Sequence, residues 1–489
     1  MRTAHRPLCA LAASLLLALS TQGAQAQPAA NPAAAAAPSN AAASALVGDW
    51  DGALEAGAGV KLRLAVHIKA APPGPVGTMD SIDQQAMGIP MSSVSLDGTQ
   101  ARLDVKLIAG AFQGQLDPTG QTLAGQWSQA GRSFPLVLTR RPAGQVQPTL
   151  NRPQTPVKPY PYAEEEVAYD NAAAHARLAG TLTLPKGNGP FPAVVLVAGS
   201  GPNTRNEPIL GHQLFLVLAD HLTRQGIAVL RYDKRGTGQS TGDYAKATTM
   251  DFADDVQAAM AYLKTRKDID PRRIGLIGHS EGGLIVPIVA ARDPSTAFIV
   301  MMAGPGVNGL DILLEQGRLI AKAMGMTDAK IAESSALRAQ LFDIVRTEKD
   351  PAAAEVKLRA AFAPLAKAQA LPDSAVEAQI RQINTEWFRA FFDYDPAPTL
   401  RQVRRPVLAI NGSLDLQVPP AQSLPAIRAA LAGNPDAEVD ELPGLNHLFQ
   451  TAKTGGVGEY AQIEETISPL ALDTMTRWIL KHSRPTASG

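Results

Sequence analysis

Residues 274–291 read Ile-Gly-Leu-Ile-Gly-His-Ser-Glu-Gly-Gly-Leu-Ile-Val-Pro-Ile-Val-Ala-Ala. The first part, Ile274–Gly278, is patterned as a short buried strand, and the apolar run after Gly283 as a buried helix. Only Gly278-His279-Ser280-Glu281-Gly282 separates them, a G-x-S-x-G sequence. A chain that passes from strand to helix in so few residues must turn sharply, and the flanking glycines let the backbones approach closely. A serine at such a turn has its hydroxyl exposed at the sheet edge. Ser280 is therefore the candidate nucleophile. The competing reading is a serine that only caps the helix.

The surrounding sequence fits a sheet of parallel strands. Phe191–Ala198, Ile227–Arg231, 274–278, 298–303, 407–411 and 437–442 read as strands, and 212–225 and 250–266 as helices. In the second helix the apolar positions are 252, 256, 259, 260 and 263. Val- and Ile-rich strands alternating with helices imply an α/β fold with helices on both faces. Ligands in such sheets sit at the carboxyl ends of the strands. Between 305 and 400 the strand rhythm stops, and Ala, Leu, Lys and Glu predict a helical cap inserted between two core strands. Its alternative is a helical excursion that only packs.

A serine hydroxyl needs a base to take its proton. In strand–G-x-S-x-G–helix sheets the chain order is serine, acid, histidine. Two histidines follow Ser280. His482 lies on a polar tail, whereas His447 sits in Leu442-Pro-Gly-Leu-Asn-His-Leu-Phe449, a loop after a strand. His447 is the candidate base, and His279 reads as a packing residue. Asp415, in a loop just past the 407–411 strand, is the candidate acid that orients His447. Asp436 and Asp440 compete weakly, and a turn-forming role is the alternative for Asp415. A tetrahedral oxyanion needs donors. The backbone N–H of Glu281 and that of Ser200, in Ala198-Gly-Ser-Gly-Pro202, are the candidates, with Gly201 next to them. The Glu281 carboxylate itself needs no role beyond a favourable first helical turn. Trp387, Phe388 and the Phe391-Phe392 pair in the cap are candidates for an acyl pocket wall, or equally for cap packing. Arg231-Tyr-Asp-Lys-Arg-Gly-Thr-Gly-Gln-Ser240 lacks a phosphate-binding glycine pattern and reads as a structural loop, with Asp233 and Arg235 bonding nearby backbone.

The rest of the chain divides by composition. Residues 1–26 carry Arg2, His5 and Arg6, an apolar run from Leu8 to Leu19 and Ala24-Gln25-Ala26. That is the layout of a cleaved secretory signal, and it predicts a secreted or periplasmic protein. The apolar run is too short for a comfortable membrane span, and no later stretch is long and apolar enough to cross a bilayer. The sole cysteine, Cys9, lies in this leader. A chain cut after Ala26 has no thiol for disulfides, a thiolate nucleophile or Cys-ligated zinc. Residues 27–45 read as an Ala/Pro-rich tether. Across 46–140, alternation in Val60–Ile68, Ala101–Leu107 and Phe134–Leu138, with turns at Asp97-Gly98 and Asp117-Pro118, predicts a small antiparallel β domain. His67 reads there as a strand residue. Prolines 142, 148, 153, 156, 159 and 161 mark 141–164 as a stiff linker, and 165–489 is the α/β part. With 45 basic and 45 acidic residues and no basic run, the chain has no electrostatic footprint for nucleic acid.

The 165–485 region resembles the α/β-hydrolase superfamily. Gly199-Ser-Gly-Pro202, Arg231–Ser240 and Gly278-His-Ser-Glu-Gly-Gly283 are similar to those of a bacterial group related to prolyl oligopeptidase-like hydrolases. The resemblance implies an α/β-hydrolase fold behind a small N-terminal β domain, no metal or organic cofactor, and carboxylesterase action on short acyl esters. Peptidase or thioesterase action on the same fold is the alternative, and a binding module on an inherited scaffold a further one. One position departs from the group: the oxyanion loop often carries His before its glycine, and here the residue is Ala198.

Overall fold

A computed structural model describes residues 42–55, 61–82, 86–108, 110–129, 132–142, 144–145, 151–368, 371 and 373–484. The leader 1–26, most of the tether and part of the linker lie outside the described residues. The chain divides into two compact units. One contains the N-terminal sheet and residues 359–379, the other residues 152–358 and 380 onwards.

The N-terminal sheet has nine strands, β1 (Gly48–Glu55), β2 (Lys61–Lys69), β3 (Val76–Ser81), β4 (Ala86–Pro90), β5 (Ser93–Asp97), β6 (Gln100–Val105), β7 (Gly110–Leu116), β8 (Thr122–Gln129) and β9 (Arg132–Arg140). Their order is β4-β3-β2-β1-β9-β8-β7-β6-β5, with antiparallel neighbours. The period-two alternation is what fills its core: Ala101, Leu103 and Val105 of β6 turn inward with Trp50, Phe112, Leu123 and Trp127. His67 is not a plain strand residue, since its ring spans Asp49 at 2.7 Å and Asp80 at 3.1 Å.

The second unit is an eight-stranded sheet. A hairpin of β10 (Ala163–Asn171) and β11 (Ala176–Leu184) leads into β12 (Phe191–Val197). A two-stranded ribbon follows, β13 (Pro208–Ile209) and β14 (His212–Gln213). Then come β15 (Ala228–Tyr232), β16 (Ile269–His279), β17 (Ile299–Met302), β18 (Val407–Gly412) and β19 (Ala437–Leu442). The order is β10-β11-β15-β12-β16-β17-β18-β19. Pairing is antiparallel on both sides of β11 and parallel from β15 onward. This is an α/β-hydrolase fold.

Successive residues of β12 serve opposite faces. Ala193, Val195 and Val197 join the core under helices Thr249–Lys264 and Glu281–Arg292, and Val194 and Leu196 the core under Leu214–Arg224 and Pro469–His482. Phe252, Val256, Ala259, Met260 and Leu263 are all buried, as the helical spacing predicts. Residues 305–400 form helices Gly309–Ala323, Asp328–Thr347, Pro351–Ala368, Asp373–Ile383, Glu386–Asp393 and Pro396–Leu400. No described helix is long and apolar enough to cross a membrane.

Three local differences from the sequence expectation have physical causes. The β10–β11 hairpin is unmarked in the hydropathy because β10 is an edge strand and carries Glu164-Glu165-Glu166. The helix expected from 212 starts at Leu214, because His212 and Gln213 pair with Pro208 and Ile209. The second half of the proline-rich segment is not a free spacer. Arg152 donates to the carbonyls of Ala461 (2.8 Å), Ile463 (2.9 Å) and Leu210 (3.1 Å), and Gln154 bonds both backbone groups of Ile467.

His212 anchors the same loop from within. It is fully buried between Thr466 Oγ1 at 2.9 Å and Tyr460 O at 2.8 Å. Burial pushes its ring down to about 4 from 6.5. A depressed histidine is neutral in the fold and takes up a proton on unfolding, so its contribution is complete above 6.5 and is lost as pH falls toward 4. The loss amounts to about 3 kcal/mol. Urea unfolding of His212→Gln should show a flatter decline over that interval than the wild type; identical slopes would discount the buried ring.

Candidate active site

Ser280 connects β16 to helix Glu281–Arg292 with φ 55 and ψ −117. A non-glycine residue stays in that region only when its surroundings force it. The forcing is visible. Ser280 N–H donates to Met302 O of β17 at 2.8 Å, and Gly283 N–H to Ser280 O at 2.8 Å. A Cβ at Gly278 would collide with the backbone of Gly282, and one at Gly282 with the backbone of Val197. The turn is thus clamped between β12 and β17, and the serine stands at the carboxyl end of the sheet.

His447 and Asp415 meet. His447 Nδ1 lies 2.8 Å from Asp415 Oδ2, with the two residues 4% and 2% exposed. The other carboxylate oxygen accepts Gln417 N–H at 2.8 Å and Val418 N–H at 2.9 Å, which fixes its plane. The loops bearing the two residues are bound to one another through Leu414 N–H to Leu445 O at 2.9 Å and Gly444 N–H to Ser413 Oγ at 2.8 Å. His447 Nε2 has no protein partner among the described residues, and Ser280 Oγ is not bonded to it. The serine turn instead reaches the His447 loop through its neighbour: His279 Nε2 lies 3.0 Å from His447 O, and the two rings are 4.9 Å apart. His279 is therefore more than a packing residue. Its Nδ1 faces Glu207 Oε1 at 3.0 Å. The competitors are elsewhere: Asp436 bonds His482 at 3.1 Å, and Asp440 is exposed along β19.

The loop after β12 runs against the serine. Gly199 is close enough that a Cβ there would sit 3.1 Å from that of Ser280. Gly199 N–H is already taken by Glu207 Oε1 at 2.7 Å. The next N–H, that of Ser200, has no acceptor among the described residues, and Glu281 begins its helix with its N–H free of an intrahelical partner. Gly199 O accepts Asn203 Nδ2 at 2.9 Å and Lys234 Nζ at 2.7 Å.

Lys234, Glu207 and the Glu281 carboxylate are the residues that sequence reasoning passed over. Lys234 is 1% exposed, bonds Glu281 Oε2 at 3.1 Å and stands 4.2 Å over the Phe252 ring. Glu281 Oε1 also accepts Thr249 Oγ1 at 2.8 Å and Trp387 Nε1 at 2.6 Å. The acid beside the serine is thus a buried anchor, more than a favourable helix start. A lysine between Asp233 and Arg235 in a loop after a strand was the only signal. Asp233 behaves as expected in part, accepting Arg205 N–H at 2.8 Å and Gln239 N–H at 2.9 Å. Arg235 does bond backbone, donating to Asp251 O at 2.6 Å, and it also pairs with the Asp255 carboxylate at 2.7 and 2.8 Å.

The cap aromatics form one cluster, with Trp387 edge-on to Phe388 at 4.9 Å and Phe388 near Phe392 at 5.4 Å. Phe388, Phe391 and Phe392 are buried, and Phe342 packs on Phe388 and Phe392 at 6.3 and 4.8 Å. That geometry favours cap packing for Phe388 over a pocket wall. Trp387 stacks on Phe391 at 4.7 Å and ties helix Glu386–Asp393 to Glu281.

Removing the Lys234 ammonium leaves the Glu281 carboxylate buried without its cation. Lys234→Met should cost about 3–5 kcal/mol of stability, read as a lower urea midpoint at constant slope. A midpoint within error of the wild type would show that Lys234 is not an anchor.

Comparison with known proteins agrees with the fold. A family model described as serine aminopeptidase, S33, matches residues 212–451, which contain Ser280, Asp415 and His447. Esterase EstD of Thermotoga maritima is 27% identical over 329 residues, 66% of this chain and 69% of that protein. Esterase FrsA of Klebsiella pneumoniae is 28% identical over 172 residues, 34% of this chain and 38% of that protein. The α/β-hydrolase GrgF of a Penicillium species superposes with a TM-score of 0.42 at 18% identity, over 66% of this chain and 99% of that one. With its eight-stranded sheet and strand–serine–helix turn, the chain is a hydrolase with an α/β-hydrolase fold.

Proposed function

We propose that the protein is a secreted serine hydrolase that cleaves carboxylic esters of short acyl chains through an acyl-enzyme. The observation that carries this is the convergence of the strained Ser280 turn with the 2.8 Å His447–Asp415 pair, joined by the His279 to His447 contact at 3.0 Å. The esterase relatives in Thermotoga maritima and Klebsiella pneumoniae support the choice of ester.

Ser280 Oγ attacks the ester carbonyl while His447 Nε2 takes its proton. Asp415 keeps the other ring nitrogen protonated and stabilises the cation that forms. The carbonyl oxygen becomes an oxyanion held by the N–H groups of Ser200 and Glu281, each worth about 3 kcal/mol in the transition state. The C–O bond to the alcohol breaks as His447 returns the proton to it. Water then repeats the sequence on the acyl-serine, releasing the acid and restoring Ser280. The proposed chemistry uses no metal or organic cofactor. Residues 1–26 would direct export and be removed, leaving a chain that begins at Gln27 and has no membrane span.

Peptide hydrolysis is the second reading, favoured by the aminopeptidase description of the matching family model. Turnover of p-nitrophenyl butyrate against an aminoacyl p-nitroanilide separates the two. The ester reading expects the former to dominate; a dominant anilide reverses it.

Ser280→Ala should lower kcat/KM for p-nitrophenyl butyrate by about 10^4-fold or more, and Asp415→Asn by about 10^3–10^4-fold. Retention of most activity in the first variant would move the nucleophile, and in the second the acid.

A further inference from the structure

Glu207 and His279 take no part in the proposed chemistry, yet both are buried where burial is costly. Glu207 is 1% exposed and holds φ 46, a left-handed backbone that a glutamate adopts only under constraint. Its Oε1 accepts Gly199 N–H at 2.7 Å and faces His279 Nδ1 at 3.0 Å, while its Oε2 is buried without a partner among the described residues. An incompletely bonded buried carboxylate is expensive unless a charge faces it. The opposite edge of the His279 ring meets His447 O at 3.0 Å. A carboxylate and a carbonyl both accept. The ring donates to both only when each nitrogen carries a proton.

Charge and geometry agree on that state. Burial pushes the His279 ring down, but the Glu207 carboxylate, and after it the His447 carbonyl and Asp415, turn the balance above the ordinary value of 6.5. The groups facing the ring are Glu207 from the loop after β12, His447 from the loop after β19 and Asp415 from the loop after β18. The Lys234–Glu281 pair holds Gly199 from its carbonyl side at 2.7 Å.

We infer that Glu207 and His279 are a positioning pair, whose shared proton fixes the Ser200 loop and the His447 loop against the Ser280 turn. The inference rests on the proposed roles of Ser280 and His447. Each member touches a different part of the site: Glu207 holds Gly199, the residue before the proposed Ser200 donor, and His279 is the residue before Ser280 and bonds the backbone of His447. When the proton leaves, the one remaining ring N–H can serve Glu207 or His447 O, but not both. One bridge then opens. A histidine raised in the fold contributes stability that is complete below 6.5 and is lost as pH rises through its folded value. The consequence falls on the alkaline side.

The test uses the full protein, a fluorophosphonate probe that reports serine reactivity without assuming an ester substrate, and a pH series from neutral to alkaline. The wild-type labelling rate should fall on the alkaline side through an ionisation that Glu207→Gln lacks. Glu207→Gln and His279→Gln should each label about ten- to a hundredfold more slowly at neutral pH, as misplacement of reacting groups does. The double variant should be no slower than the worse single one, because the two act as one unit. Melting followed by circular dichroism checks that each variant is folded. Proton NMR of the wild type needs no variant, and should show both ring N–H signals of one buried imidazolium at neutral pH. Wild-type labelling in the variants, additive losses, a shared alkaline limb, or a single ring N–H would each overturn the pair. A wild type that does not label at all overturns the nucleophile assignment instead, and the pair falls with it.

Discussion

The left-handed backbone at Ser280 is the constraint on which the rest of the α/β unit depends. A β-strand ends at His279 and a helix starts at Glu281, so one residue must reverse the chain. Such a turn is strained and survives only if its surroundings over-determine it. Here they do so with backbone. Gly278 and Gly282 allow contacts that any side chain would block, and Met302 O receives the Ser280 N–H at 2.8 Å. The strain sets the serine hydroxyl above the sheet and places the helix N-terminus, with its free N–H at Glu281, beside it. Nucleophile and oxyanion donor, on the proposed reading, are adjacent products of one conformational necessity.

Buried charge then ties the neighbouring loops to that turn. Two pairs act on the same short segment: Lys234 with Glu281, and His279 with Glu207. Gly199 is held from both, its carbonyl by Lys234 at 2.7 Å and its amide by Glu207 at 2.7 Å. Buried ion pairs are poor sources of net stability, because desolvation offsets most of the attraction. Hydrophobic residues of the same size would serve the core as well. What they would lack is direction. A carboxylate that must satisfy a lysine, a threonine hydroxyl and an indole N–H can sit in one place only, and Glu281 does so within hydrogen-bond distance of all three. Through Trp387 that fixation extends to helix Glu386–Asp393 of the cap.

Much of this could be read in the sequence, for definite reasons. The G-x-S-x-G segment, the Val-rich strands and the helix with apolar residues at 252, 256, 259, 260 and 263 carry periodicities that burial imposes, and all appear at the expected places. The pairing of His447 with Asp415 followed from chain order and from loops placed just after strands. What escaped lacks periodicity. β10 is polar because it is an edge strand. Lys234, Glu207 and His279 are charged or polar residues in loops and turns, where the common case is a solvated side chain. Their burial depends on three loops meeting, a tertiary fact that no local window contains. The cap aromatics escaped for a different reason: Trp387 and Phe388 touch edge to face at 4.9 Å, yet the Trp387 N–H reaches Glu281 while Phe388 packs on Phe342, a division that hydropathy does not carry.

Ala198 shows how the same geometry can be reached from another residue set. In the group this chain resembles, the position often holds histidine, a side chain able to brace the oxyanion loop from within. An alanine can brace nothing, and the loop must be held from outside. The structure supplies three holders for it: Asn203 on the carbonyls of Gly199 and Ser200, Lys234 on that of Gly199, and Glu207 on the Gly199 amide. With the Gly199 amide and carbonyl both engaged, the Ser200 N–H is the first group in the loop left to meet a developing negative charge. With Ala198 at this position the loop is held by Glu207, Lys234 and Asn203, and the backbone N–H proposed as donor is left unengaged by them.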